Sequence, residues 1–131
     1  MGLDMYLNGE KFLWTGRKNP ATGPRQDGSE IRSKTLSLGY WRKHPNLHGY
    51  IVQTFADGVD ECQPIDLDAS AIEKIIDAVN GNALPHTEAF FFGATDGTEK
   101  DEDLRILKAA LDWLRTDEPL VMRSVTYRAS W

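Results

Sequence analysis

The side chains of this chain that could do chemistry are few, and most fail on spacing. His44 and His48 stand four residues apart, the interval of a metal-ligand pair on one helical face. Pro45 directly follows His44, however, and biases that residue away from helical geometry. With no Cys-x-x-Cys and no Glu beside either histidine, no metal and no other cofactor is expected. Cys62 with His48 or His86 would make a thiol nucleophile, but only through a spatial adjacency that spacing does not supply. Asp60-Glu61 before it would raise the thiol pKa, the wrong direction for a nucleophile. The Asp-rich stretch at residues 96–103 lacks the ligand spacing of a calcium loop, so caps and solvated faces account for its carboxylates.

What remains is a polar and aromatic set: Asp4, Trp41, Arg42, Lys43, His48, Glu88 and Tyr127. Each lies at or beside an expected strand end or helix start, where side chains converge. As a binding cluster it suits an anion or a partner surface. As structure, Arg42 pairs with Asp4 or Glu88 and Trp41 belongs to the core. Neighbours in an extended segment point to opposite faces, so at most one of Arg42 and Lys43 aims inward. The planar guanidinium suits a buried carboxylate better than an ammonium does. Arg42 is therefore expected inward and ion-paired, with Lys43 exposed.

The elements that must position this set follow from periodicity. Leu3, Met5 and Leu7 alternate with polar neighbours, and Asn8-Gly9 is a hairpin turn signal that would set Met5 against Phe12 and Leu3 against Trp14. One continuous bulged strand is the alternative. Residues 15–30 hold three glycines and two prolines and read as a mobile, basic surface loop without phosphate-loop spacing. Ile31 to Tyr40 reads as a strand with Leu36, Leu38 and Tyr40 on one face. Pro45 opens a helix carrying Leu47, Tyr50, Ile51 and Phe55 that stops near Asp57-Gly58. After a short extended piece at Pro64 to Asp68, Asp68 or Ser70 caps a helix with Ile72, Ile75, Ile76 and Val79 inward and Gly81 as its stop. Ala89 to Gly93 reads as a buried strand. Thr98 and Asp101 resemble a capping box for a helix burying Leu104, Leu107, Leu111 and Leu114, whose first-turn acids, Asp103 among them, oppose the dipole. Leu120 to Trp131 closes the chain as a strand with Val121, Val125, Tyr127, Ala129 and Trp131 inward. Strands at both ends with helices between them imply a single α+β domain over residues 1–131. Its sheet is antiparallel or mixed, with about three helices packed on it.

Bulk properties narrow the class. No apolar run approaches the ~18 residues of a membrane span. Asp4 stands where an export signal carries positive charge, and one cysteine fits a reducing compartment, so a cytoplasmic protein is expected. Residues 1–55 hold eight Lys/Arg against four Asp/Glu, whereas residues 56–131 hold seven against sixteen. A pI of 5.1 argues against broad nucleic-acid binding.

Several stretches resemble a family of small bacteriophage and prophage proteins. They are the opening Met-Gly-Leu-Asp-Met-Tyr-Leu of residues 1–7, Tyr40-Trp41-Arg42-Lys43 with Leu47-His48, Leu84-Pro85 before Ala89-Phe90-Phe91-Phe92-Gly93, and Tyr127-Arg128-Ala129-Ser130-Trp131 at the end. Ala89 replaces the family's Gly and Ala129 a Ser, and the 15–30 loop has no counterpart. The resemblance implies a viral origin, hence the cytoplasm of a bacterial host, and no particular reaction. A phosphoglycerate kinase label carried by some members does not suit a chain this short with no nucleotide loop. The expectation is a phage accessory protein that binds a host or viral macromolecule, most simply a protein, without catalysis. The alternative is a small enzyme or ligand binder that grips a phosphorylated or nucleotide-like molecule with Arg42, Lys43 and His48.

Overall fold

Alternating burial along the strands sets the layers. The computed structural model describes residues 2–14, 29, 31–87 and 99–131. The order is β1 (Asp4–Leu13), β2 (Ser33–Arg42), α1 (Pro45–Phe55), β3 (Ile65–Asp66), α2 (Ala69–Asn80), α3 (Lys100–Arg115) and β4 (Val121–Ser130). These strands make one antiparallel sheet, ordered β2-β1-β4-β3. Inward-facing Gly39 and Gly9 lie against Ile106 and Trp113 of α3, Tyr127 meets His48 of α1, and α2 packs on α1 and α3. All three helices therefore share one side of the sheet, and the fold is α+β. The core between the layers holds Leu3, Met5, Leu7, Leu47, Ile51, Ile72, Ile75, Leu107, Val125 and Tyr127.

The helices begin and end for the reasons their sequences supply. Pro45 occupies the first turn of α1, where its missing N–H costs no bond. The Asp68 carboxylate accepts from the Ala71 N–H at 2.7 Å, an N-cap worth about 1 kcal/mol. Gly81 ends α2 as expected, although the left-handed residue is Asn82 (φ 53°). The α3 N-cap is Glu99, which makes no side-chain capping bond.

Asn8-Gly9 does not turn the chain. β1 runs through it as an interior strand, paired with β2 on one side and β4 on the other. The pairs Met5–Phe12 and Leu3–Trp14 accordingly do not form, and Phe12 and Trp14 are exposed. Gly9 answers to packing instead: a Cβ there would stand 2.6 Å from the Trp113 ring and 2.9 Å from Leu38.

One bulge corrects two further expectations. Leu7 faces Gly39 while Asn8 faces Ser37, which leaves Leu38 as an extra residue in β2. An extra residue reverses which side chains face the core. Beyond Leu38, therefore, Trp41 points inward, and Tyr40 and Arg42 point outward. Tyr40 leaves the face of Leu36 and Leu38 and is 48% exposed. At the other end Trp131 is 38% exposed rather than inward, though its indole N–H reaches the Asp60 carboxylate at 3.3 Å. Glu88, the Ala89 to Gly93 strand, Thr98 and residues 15–30 apart from Ser29 lie outside the described residues.

Candidate functional site

Two buried histidines four residues apart enter two separate networks. His44, the N-cap residue of α1, lies 2.7 Å through Nε2 from Asp103 Oδ2, and the Trp41 indole N–H donates to Asp103 Oδ1 at 2.8 Å. Asp103 belongs to the inward stripe of α3, four and eight residues before Leu107 and Leu111, and is 1% exposed. Both carboxylate oxygens therefore have polar partners, as a polar group at that depth requires, and the first helical turn adds a dipole that favours an acidic side chain. A cleft of about 170 Å³ borders this triad, lined also by Asn46, Asn82, Glu99 and Lys100. That is below the roughly 300 Å³ at which small-molecule pockets usually begin. The Lys100 ammonium there is engaged with the Asn80 carbonyl at 3.1 Å and with Asn82 Oδ1 at 3.3 Å.

The second network joins α1 to β4. Burial, reinforced by the Asp60 charge, pushes the Tyr127 phenol well above its ordinary pKa, so it stays protonated and can donate. Its hydroxyl lies 2.6 Å from His48 Nδ1, and His48 Nε2 lies 3.0 Å from Asp60 Oδ2, so both ring nitrogens are engaged. Asp60 also accepts from Trp131, and the Cys62 carbonyl accepts from the Arg128 guanidinium at 3.1 Å. The turn over residues 56–64 is thus tied to the end of β4. His48 and Tyr127 are both almost fully buried, so neither is presented to a solute.

The opposite side of the sheet is different in kind. Tyr40, Tyr6 and Arg128 form one row across β2, β1 and β4, with Arg42, Asp4 and Ser130 in the row beyond. The Tyr6 and Tyr40 rings lie 5.4 Å apart, tilted by 51°. The Tyr40 hydroxyl donates to Asp4, a bond that, with some burial, raises the phenol pKa. At the far end Phe12 pairs with Met122, both exposed.

The seven residues expected to converge divide among these places. His48 and Tyr127 meet, Trp41 joins the Asp103 network, and Asp4 and Arg42 stand together on the outer face. Arg42 is not the buried ion pair expected: its side chain is 60% exposed and its Nε lies 4.0 Å from Asp4 Oδ1. Asp4 is nonetheless one of the two partners anticipated. Lys43 is exposed and leaves the strand with φ 55°, its N–H donating to the Leu3 carbonyl at 2.8 Å. Among the described residues, no three His, Cys, Asp or Glu side chains come together to hold a metal ion. No described helix is long and apolar enough to cross a membrane.

Sequence reasoning missed His44 and Asp103 as a pair. The available signal was a carboxylate at an apolar-stripe position, Asp103-x-x-x-Leu107-x-x-x-Leu111. Tyr6 and Arg128 were missed as surface residues because their prominence depends on strand register. Comparison with protein-family models, curated proteins and solved structures finds no match.

Proposed function

We propose that the chain is a phage or prophage accessory protein that acts in the host cytoplasm by binding a protein of the host or virus, without catalysis. The observation that supports this most is the composition of the outer sheet face: Tyr6, Tyr40, Phe12, Met122, Arg42 and Arg128 are all exposed there. Tyr, Phe, Met and Arg are the residues enriched where proteins meet, and Tyr and Arg often supply most of the binding energy. Asp4, Glu10 and Asp66 share the face with the two arginines, so it lacks the basic excess that nucleic acid demands. On the helix side, by contrast, His44 and Trp41 meet Asp103, and His48 meets Tyr127 and Asp60.

The alternative, an anionic ligand gripped by Arg42, Lys43 and His48, finds less support. Arg42 lies on the outer face, whereas His48 is enclosed on the helix side with both ring nitrogens engaged. Affinity capture from host lysate separates the two readings. A specific protein retained by the parent and lost with Tyr6→Ser/Tyr40→Ser is the expected outcome. Absence of any specific partner, together with turnover of a metabolite, would overturn it.

A further inference from the structure

The segment from Ala56 to Pro64, which joins α1 to β3, is held differently from the elements it connects. None of its residues is buried. Three of its backbone positions are left-handed: Asp57 (φ 52°), Gly58 (φ 78°) and Cys62 (φ 59°). Glycine adopts that region freely and Asp tolerates it, whereas Cys62 is strained there. Both ends are anchored. The Val52 carbonyl accepts from the Ala56 and Gly58 N–H groups at 3.0 Å, and Ile65 pairs with Tyr127. Between the anchors the segment closes on itself. The Gln63 side chain accepts from the Glu61 N–H at 2.8 Å and donates to the Val59 carbonyl at 2.6 Å. Among the described residues, its hydrogen bonds to α1 and β4 beyond Val59 run through side chains. Asp60 meets His48 Nε2 at 3.0 Å with one oxygen and accepts from the Trp131 indole at 3.3 Å with the other. The exposed Arg128 guanidinium donates to the Cys62 carbonyl at 3.1 Å.

We infer that residues 56–64 form a strap that swings open as one piece while the rest of the fold stays intact, with Asp60 as its clasp. A segment with no buried residue gives up little apolar contact on opening. Its side-chain bonds exchange for bonds to water, and release of the left-handed Cys62 favours the open form. Opening carries Asp60 away from His48 Nε2. It thereby uncovers a His48–Tyr127 pair that is otherwise almost fully buried. The Asp103 network has no such gate. There both members of the His44–Asp103 pair are buried, with side chains 3% and 2% exposed, whereas the Asp60 side chain is 29% exposed against 2% for His48.

The strap carries its own reporter, since Cys62 is the one cysteine of the sequence. Iodoacetamide labelling of Cys62 and diethylpyrocarbonate modification of His48 are followed by mass spectrometry in the full chain, across low urea concentrations. Both rates should be nearly independent of urea, the mark of an opening smaller than global unfolding. Asp60→Ala should raise both by about tenfold or more, with a melting temperature within a few degrees of the parent and no change at His44. Glu61→Ala removes the same charge beside Cys62 but not the clasp, and should leave the His48 rate unchanged. Rates that climb with urea as steeply as global unfolding would refute the strap, as would failure of Asp60→Ala to fold. A rise in Asp60→Ala that Glu61→Ala matches would refute the clasp. Faster labelling of Cys62 with His48 no more reactive than His44 would refute the gate.

Discussion

Along β1, Met5, Leu7 and Gly9 face the helices and are buried, whereas Tyr6 and Phe12, at alternate positions, face outward and are exposed. The same contrast holds for polar groups. On the helix side Asp103, His44 and His48 are each engaged by named donors or acceptors; on the outer side Arg42 and Arg128 hold partners at the surface. Burial demands that polar groups be satisfied internally, and a group so satisfied has little left for a ligand. On the proposed reading, inner chemistry serves stability and outer chemistry serves recognition. Substitutions on the two faces should therefore separate stability from binding.

The largest stability effect is expected from Asp103→Ala, which removes the carboxylate that Trp41 Nε1 and His44 Nε2 meet in the interior. Each buried group that loses its partner costs about 1–3 kcal/mol, so a loss of about 2–5 kcal/mol should appear in urea unfolding; a loss under about 1 kcal/mol would mean the network is not closed as described. Gly9→Ala comes next, because the added methyl collides with Trp113 and Leu38. Overpacking of this kind costs about 1–3 kcal/mol, and a neutral result would favour a turn at Asn8-Gly9 over a strand.

Acid provides a subtler probe of the inner side. The Arg123 and Lys11 side chains hold the Glu118 carboxyl below its usual range. A carboxylate lowered by folding stabilises above its unfolded pKa near 4.5 and loses that contribution as pH falls through the folded value. The stability gap between the parent and Glu118→Gln should accordingly close as pH drops below about 4.5; a gap that widens there contradicts the pairing. Arg42→Ala should be the smallest, about 0.5 kcal/mol or less for an exposed pair at this distance, measured by the same unfolding curves. A large loss would restore Arg42 to the interior.

Much of the layer order was legible before the structure. Asp68 or Ser70 before the Ile72, Ile75 and Val79 stripe placed α2, Pro45 placed α1, and alternation placed β4 with Val125, Tyr127 and Ala129 inward. What escaped has local causes. Asn8-Gly9 carries the same letters whether it turns a hairpin or admits a Trp ring beside a strand. A single extra residue at Leu38 is invisible to period-two reading, yet it sends Tyr40 and Arg42 outward and Trp41 inward. Asp103 sits in a first turn, where a carboxylate has a sufficient reason in the helix dipole. The candidate surface was harder still, since Tyr6, Tyr40 and Arg128 become neighbours only once β1 is interior between β2 and β4.

On the proposed reading, the outer face binds and the inner face stabilises. Its most direct test is Tyr6→Ser/Met122→Ser, two exposed residues of the outer face, measured for both thermal unfolding and affinity for the captured protein. The account expects a melting temperature within a few degrees of the parent and affinity lower by about 30-fold or more, the loss of a 2 kcal/mol hot spot. Parent-like affinity in a folded variant would contradict it.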